Sequence, residues 1–328
     1  MAYQLDESTV GAYLASHGVV EGVPTHVERL VGGVSADVVM VEAAGRRLVV
    51  KQELATLRVR DEWTSNPERV GAEARGLTLA RDLHLPGALA VVAVVAEDYL
   101  LVMECAPEGF VPWKAELLEA RVDVGVATEV GRWLGELHAA TFDDDQRRVE
   151  FADQSAFVEL RVDPFYRTVA ARNPDLAVSV NAAADSLLVP GRCVVHGDYS
   201  PKNLLVRGRD LAVIDWEIVH FGQPVFDVAF VVSHLTCKYF RGRGGNDEYL
   251  DAARAVLSAY RLAAPEVARV VDDADLVTQV ACLVLARVQG KSPVDYLVGE
   301  ARHRCRGWAR RVLAAPPGDL DAAWAPAP

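Results

Sequence analysis

Two neighbouring segments, Val194-Val-His-Gly-Asp-Tyr-Ser-Pro-Lys-Asn-Leu-Leu-Val206 and Val213-Ile-Asp-Trp-Glu217, concentrate the groups able to do chemistry. Asp198 and Asn203 stand five apart, and Asp215 follows Asp198 by seventeen. Short apolar runs flank both clusters, which puts the polar groups on loops between small strands. Two carboxylates and an amide in this order suit phosphoryl transfer from a nucleotide. Asp198 would orient an attacking hydroxyl, while Asn203 and Asp215 would hold Mg²⁺ against the phosphates. Mg²⁺ prefers hard oxygen donors and takes few of them from protein, so one amide and one carboxylate are enough. Taken singly, Asp198 reads as a solvated loop acid, Asn203 as a turn residue and Asp215 as a strand-end cap. The three together favour the chemistry.

The same Asp-to-Asn spacing occurs in the protein-kinase catalytic loop H-R-D-x-x-x-x-N. Here His196-Gly197-Asp198 replaces His-Arg-Asp, and Ile214-Asp-Trp-Glu217 stands where Asp-Phe-Gly would be. With Phe226-Asp227-Val-Ala229, these strings resemble the aminoglycoside phosphotransferase-like small-molecule kinases. That superfamily also holds choline, homoserine and methylthioribose kinases. Upstream, Gly32-Gly-Val-Ser35 resembles its phosphate-covering turn, Val49-Val-Lys51 its strand with the nucleotide lysine, and Val102-Met-Glu-Cys-Ala-Pro107 its hinge. The matches run in the expected order over roughly residues 28 to 230. Asn203 departs from the methylthioribose kinases, which otherwise resemble the front half.

The resemblance implies an α+β, protein-kinase-like fold of two lobes, with ATP or GTP as donor, Mg²⁺ as cofactor and a small hydroxylated molecule as acceptor. It assigns Lys51 to the α/β-phosphates, and a buried ammonium there needs an acid beside it. Glu73, mid-helix, is favoured for that role over Glu62 and Glu68. Gly32, Gly33 and Ser35 would offer backbone N–H groups to the triphosphate; two glycines alone would read as a hairpin turn. Glu104 C=O and Ala106 N–H would pair with the base. Asp227 would brace the catalytic loop, or only cap its helix. His196 reads as structural, since Asp198 holds the catalytic place. Glu217 shares the face of Asp215 in an extended segment; it either assists the metal through water or makes a salt bridge. A kinase-like module without activity is the alternative. A protein kinase is disfavoured by the lack of Asp-Phe-Gly, Ala-Pro-Glu and an HRDL string.

The elements that must position these groups change character near residue 106. Before it, strand-like runs at Val38–Val41 and Leu48–Val50 flank a turn at Ala44-Gly45, and a second hairpin turns at Glu97-Asp98. A short helix is expected over 8–17, capped by Ser8 or Thr9, and another from the Asn66-Pro67-Glu68 start to about Leu83. After Pro107 the pattern is helical, clearest over Val124 to Ala140, where Val126, Val130, Trp133, Leu134 and Leu137 share a face. Further helices are expected near 152–171, 225–239, 248–262, 266–289 and 294–314. This divides the chain into a nucleotide lobe over 1–105, a helical catalytic and acceptor lobe over 106–315, and a proline-rich, fraying tail over 316–328. The arginines at 302, 304, 306, 310 and 311 read as a solvated helix face. The acceptor is expected on the helical lobe, lined from residues 225–300, with Asp227, His234, Lys238, Tyr239 and Arg241 the nearest polar or aromatic groups.

Composition narrows the partners. A 328-residue chain supports two substantial cores, and 51% apolar against 24% charged residues is a globular balance. The net charge of −12 argues against nucleic acid. It divides evenly between residues 1–105 and the rest, so it speaks for solubility rather than for a cationic substrate. No apolar run reaches the ~20 residues of a membrane span, and Asp6 and Glu7 interrupt any signal-peptide pattern. Cys105, Cys193, Cys237, Cys282 and Cys305 are scattered and form no CxxC pair, which points to a reducing, cytoplasmic setting.

Overall fold

A computed structural model describes residues 3–22, 24–30, 33–59, 61–242 and 247–325. Gly32 lies outside the described residues. The small lobe comprises α1 (Val10–Ser16), β1 (His26–Arg29), β2 (Ala36–Ala43), β3 (Arg46–Glu53), α2 (Val70–Asp82), β4 (Val91–Val95) and β5 (Leu100–Glu104). Its strands form an antiparallel sheet in the order β1-β2-β3-β5-β4. The β2–β3 hairpin turns through Ala44 and Gly45, both at positive φ, and pairs Val38 with Lys51. One sheet face is covered by Leu5 and by α1 through Val10 and Leu14. Thr9 makes no side-chain cap there; the Asp6 carboxylate accepts from Ser8 N–H instead (2.8 Å). Asn66 does cap, accepting from Glu68 N–H (3.0 Å) ahead of a 3₁₀ turn that runs into α2.

The larger lobe holds β6 (Val111–Pro112), α3 (Trp113–Leu118), α4 (Val124–Ala140), α5 (Asp145–Glu150), α6 (Ser155–Phe157), α7 (Thr168–Arg172), α8 (Ala177–Leu187), β7 (Cys193–Val195), β8 (Leu204–Arg207), β9 (Asp210–Val213), β10 (His220–Gly222), α9 (Val225–Arg241), α10 (Glu248–Ala263), α11 (Pro265–Ala268), α12 (Asp273–Gln289), α13 (Gly299–Ala314) and α14 (Leu320–Trp324). The mixed architecture, an antiparallel-sheet lobe beside a mainly helical one, is the expected α+β kinase-like arrangement. The apolar face of α4 is buried against α10, α9 lies against α12, and the core is continuous into the small lobe through α2 and β5. No helix among the described residues is long and apolar enough to cross a membrane.

Two expectations change. The stretch between α6 and α7 is one π-helical segment, Val158–Arg167, with Pro164 inside it. Proline removes a backbone donor, and the wider winding re-aims side chains, as π segments at functional sites often do. The tail does not fray as a whole. Asp319 accepts from Ala322 N–H (2.8 Å) to start α14, and Leu320, Ala323 and Trp324 are buried. Three apolar residues on one short turn outweigh the flanking prolines. The arginine-rich α13 is also less bland than a solvated face. Arg304 donates to Phe240 O (3.0 Å), Arg310 to Asn173 Oδ1 (2.7 Å) and Arg311 to Ala323 O (3.2 Å).

The contact that aligns the lobes is α2 against Trp216. A Cβ added at Gly76 would lie 2.7 Å from Trp216 Cε3 and 3.0 Å from its Cβ, so this approach requires glycine. Gly76→Ala is therefore expected to destabilise the protein by roughly 1–3 kcal/mol despite its better helix propensity. Urea denaturation measures this, and an unchanged or raised midpoint would contradict the packing.

Candidate active site

Strand pairing builds the centre. β8 and β9 form a hairpin with Leu204 opposite Val213, and Ile214 N–H donates to Asn203 O (3.1 Å), so Asn203 and Asp215 leave adjacent ends of one ribbon. Asp215 sits at φ +70, a left-handed backbone that costs a non-glycine residue energy and tends to persist at functional sites. Across the cleft, β3 delivers Lys51. Its Nζ lies 2.5 Å from Asp215 Oδ1, 2.7 Å from Glu73 Oε2, 3.0 Å from Glu53 Oε1 and 3.8 Å from Glu217 Oε2. Lys51, Glu73, Asp215 and Glu217 thus meet in one buried cluster that spans both lobes.

Sequence reading missed two members of that cluster, Arg69 and Glu53. Arg69 joins Glu53 (2.6 Å), Glu217 (2.9 Å) and Ser35 O (2.9 Å), tying the turn after Gly33 to the catalytic side. Glu53 stands two residues beyond Lys51 on β3 and so shares its face. Burial opposes the charge on Lys51, but Asp215, Glu53 and Glu73 overcome it and hold the ammonium well above the usual lysine range. Burial would raise Asp215; Lys51 and Lys202 hold it far below the ordinary carboxylate value instead. Glu217 is likewise drawn down against burial by Lys51 and Arg69, to about 2. Glu53, by contrast, is pushed well up by burial and by Glu217. Four acidic side chains face Lys51 and Arg69, with Lys202 (3.5 Å from Asp215 Oδ2) at the edge. Hard oxygen donors such as these are of the kind a divalent cation takes.

Asp198 opens on the other side. Its Oδ2 accepts from Asn203 Nδ2 (2.7 Å), and its Oδ1 pairs with Arg161 (2.5 Å). Arg161, which no motif signalled, comes from the π-helical segment and also donates to Gly197 O (3.0 Å). The loop around Asp198 is held by Asp227 at the start of α9. Asp227 Oδ2 accepts from His196 N–H (2.7 Å) and Oδ1 from Gly197 N–H (2.9 Å), with His138 Nε2 at 3.4 Å. His196 Nδ1 accepts from Asp198 N–H (3.1 Å), which leaves Nε2–H to donate to Ile214 O (3.2 Å). Burial keeps this imidazole neutral by lowering its pKa, so it braces the two loops. Gly197 stands at φ +78, and a Cβ there would lie 2.6 Å from Ile218 Cγ2.

Other expected groups are placed apart. Glu104 and Ala106 border a separate depression of about 740 Å³ with Arg47, Pro86, Phe110 and Arg207, away from Lys51. Ser35, with Val34, lines a cavity of about 320 Å³ that Asp198, Lys202 and Glu217 also face. Of the acceptor-side residues, His234 lines this cavity. Asp227 is turned to the loop, Lys238 is buried behind the wall, Tyr239 packs on Phe240, and Arg241 donates to Leu118 O.

Comparison with known proteins agrees with this geometry. The model of the phosphotransferase enzyme family (APH) matches residues 26–269, which takes in both lobes and every loop just described. The chain belongs to the phosphotransferase enzyme family. No curated protein matches it. Its fold is similar to that of solved phosphotransferases of low identity. One is the amicoumacin kinase hAmiN in complex with AMP-PNP, Ca²⁺ and Ami (12% identity, TM-score 0.64, 96% of this chain and 95% of that one). Another is the choline kinase LicA from Streptococcus pneumoniae (16%, 0.52, 94% and 97%). A third is the streptomycin–ATP–APH(2")-IIa ternary complex (15%, 0.51, 94% and 97%).

Asp227 gives a test of how the family's loop is held here. Asp227→Asn removes one of two acceptors for buried N–H groups, which costs roughly 1–3 kcal/mol at neutral pH. The hydrogen bonds of Asp227 and nearby His138 lower its folded pKa against the opposing effect of burial. Its contribution is therefore full above the unfolded value near 3.8 and is lost as pH falls through the depressed folded value. Urea denaturation at pH 7 and at pH 3 should show the gap between the two proteins narrow in acid. A gap that stays constant or widens would contradict the assignment.

Proposed function

We propose that this chain transfers the γ-phosphate of ATP to a hydroxyl of a small molecule, using Mg²⁺. The observation that carries the reading is the meeting of Lys51, Asp215, Asn203 and Asp198 on the two sides of one cleft, each held by named partners. Lys51, fixed in its charged form, is placed to receive anionic phosphate oxygens. Gly32, Gly33 and Ser35 would offer backbone N–H groups to them, and Glu104 and Ala106 remain the proposed contacts to the base. Asn203 and Asp215 would hold the metal, which when bound would neutralise phosphate charge. Glu217 makes salt bridges to Arg69 and Lys51 and so shapes the cluster from behind.

Asp198 accepts the hydrogen of the acceptor hydroxyl and aims its oxygen in line with the phosphorus. Positioned acid–base groups of this kind contribute ~10²–10⁴ in rate. Asn203 Nδ2 and Arg161 fix the carboxylate in place, so little reorganisation is needed when the hydroxyl arrives. Amicoumacin, streptomycin and choline, named for the structural relatives, mark the kind of hydroxylated small molecule the fold can serve. An inactive module is not favoured, because Lys51, Asp198, Asn203 and Asp215 are all present and meet at one cleft. The reading places the protein in the cytoplasm, where nucleotide and Mg²⁺ are available.

Two substitutions separate the roles. Asp215→Asn keeps shape and removes the metal-holding charge, so nucleotide turnover should fall at least tenfold at limiting Mg²⁺ and recover in part at high Mg²⁺. Parent-like turnover at limiting Mg²⁺ would contradict the metal assignment. Asp198→Asn should keep ATP affinity within a few-fold and lose at least a hundredfold in transfer, since it acts on the acceptor. Parallel loss of nucleotide binding would instead make Asp198 structural. Calorimetric nucleotide titration with a coupled ADP assay reads both.

A further inference from the structure

The wall of the cavity that Asp198 faces is cationic. Lys114, Arg161 and Arg287 line it beside His234, Phe165 and Tyr296. The acids facing the same space are largely committed elsewhere. Asp198 is paired with Arg161 (2.5 Å) and Asn203 (2.7 Å), and Glu217 with Arg69 (2.9 Å), while Asp295 lies at the exposed rim.

Arg287 has no carboxylate partner among the described residues. Its Nη1 donates to Ser292 O (3.2 Å) and its Nη2 to His234 Nε2 (3.0 Å), while its buried Nε makes no hydrogen bond. Tyr296 Oη on the same wall is also buried without a partner. The guanidinium is stacked near Phe165 (4.7 Å) and Phe230 (5.2 Å), which fixes its plane and leaves its donors to be satisfied from the edge. Behind it, Lys238 is 1% exposed, with only His234 O at 3.4 Å and the Tyr296 ring at 5.2 Å.

His234 does not offset this charge. Accepting from Arg287 requires its Nε2 to be unprotonated, and burial with Arg287, Lys238, Lys114 and Arg161 around it holds its pKa well down. Lys238 itself is pushed down to about 7 by burial. A guanidinium with no acid beside it and a buried donor unmet is costly to the free protein. Its retention beside the reacting carboxylate, with a donor unmade, fits a group whose partner arrives with the substrate.

We propose, resting on the phosphotransferase reading above, that the acceptor is an anionic hydroxylated molecule, its carboxylate or phosphate received by Arg287 and its hydroxyl by Asp198. Lys114 adds long-range attraction, and Phe165 and Tyr296 give the space between the two ends apolar sides. A cationic acceptor of the choline or aminoglycoside kind would meet like charge here.

The test uses two sets of alcohols matched in shape. One is glucuronate, glucose 1-phosphate, glucose and glucosamine; the other is 4-(hydroxymethyl)benzoate, 4-(hydroxymethyl)phenyl phosphate, 1,4-benzenedimethanol and 4-(aminomethyl)benzyl alcohol. Each is titrated calorimetrically into protein saturated with Mg²⁺·AMP-PNP. In at least one set, an anionic member should bind at least tenfold more tightly than its neutral and cationic counterparts, and the carboxylate and phosphate arms show which oxyanion fits. Arg287→Gln should cut that preference below threefold without lowering the thermal midpoint, since it removes an unpaired charge. Lys114→Gln, nearer the surface, should halve it or more and serves if Arg287→Gln does not fold. Equal binding across both sets, no anionic binding at all, a cationic preference, or a preference that survives both substitutions would overturn the proposal. Failure of the parent protein to bind Mg²⁺·AMP-PNP would instead sink the phosphotransferase reading. The charge comparison would then be read on the nucleotide-free protein.

Discussion

The salt bridge between Lys51 and Asp215 (2.5 Å) is the constraint on which the rest of the centre depends. It joins a strand of the small lobe to the end of the β8–β9 ribbon in the large one, and both groups are shielded from water. A buried ion pair of this kind contributes little net stability, because desolvation opposes its attraction, but breaking it is costly. Its value here is positional. Glu73, Glu53, Arg69 and Glu217 surround it, so the charge of one lobe is neutralised only when the other lobe is in register. The Gly76–Trp216 contact supplies the matching steric fit a short distance away.

Charge divides the cleft into two regions with opposite demands. Around Asp215, acidic side chains gather about Lys51 and Arg69, an arrangement suited to a lysine that must stay charged. Beyond Asp198, cations outnumber free acids among the described residues, and Arg287 has no counter-ion there. Asp198 lies on the border, held by an amide from one side and by Arg161 from the other. A reaction that brings a polyanion to one side and an alcohol to the other would use both regions at once. The overall charge of −12 conceals this division, because surface acids dominate the total.

Much of the framework was legible in the sequence because local signals and tertiary roles agreed. The Val124–Ala140 periodicity, the Asn66 cap and the β2–β3 turn each forced one local structure, and the HGD and IDWE strings lay on the loops their flanking strands require. The groups that escaped notice are those whose meaning is purely tertiary. Arg69 and Glu53 look like routine charged residues until the fold buries them together. Arg161 is aimed by a π-helical winding that has no sequence period of its own, and Arg287 becomes unusual only because no acid among the described residues folds against it. The helix in the tail escapes the sequence because its prolines are a local signal, while the burial of Leu320, Ala323 and Trp324 against the larger lobe is tertiary.

The most direct test of the central claim is hydrogen–deuterium exchange with and without Mg²⁺·AMP-PNP. If the Lys51–Asp215 pair is where the nucleotide phosphates and both lobes meet, exchange should slow together in residues 49–53 of β3 and in the 196–217 loops. Protection confined to one lobe, or none at saturating nucleotide, would contradict the account.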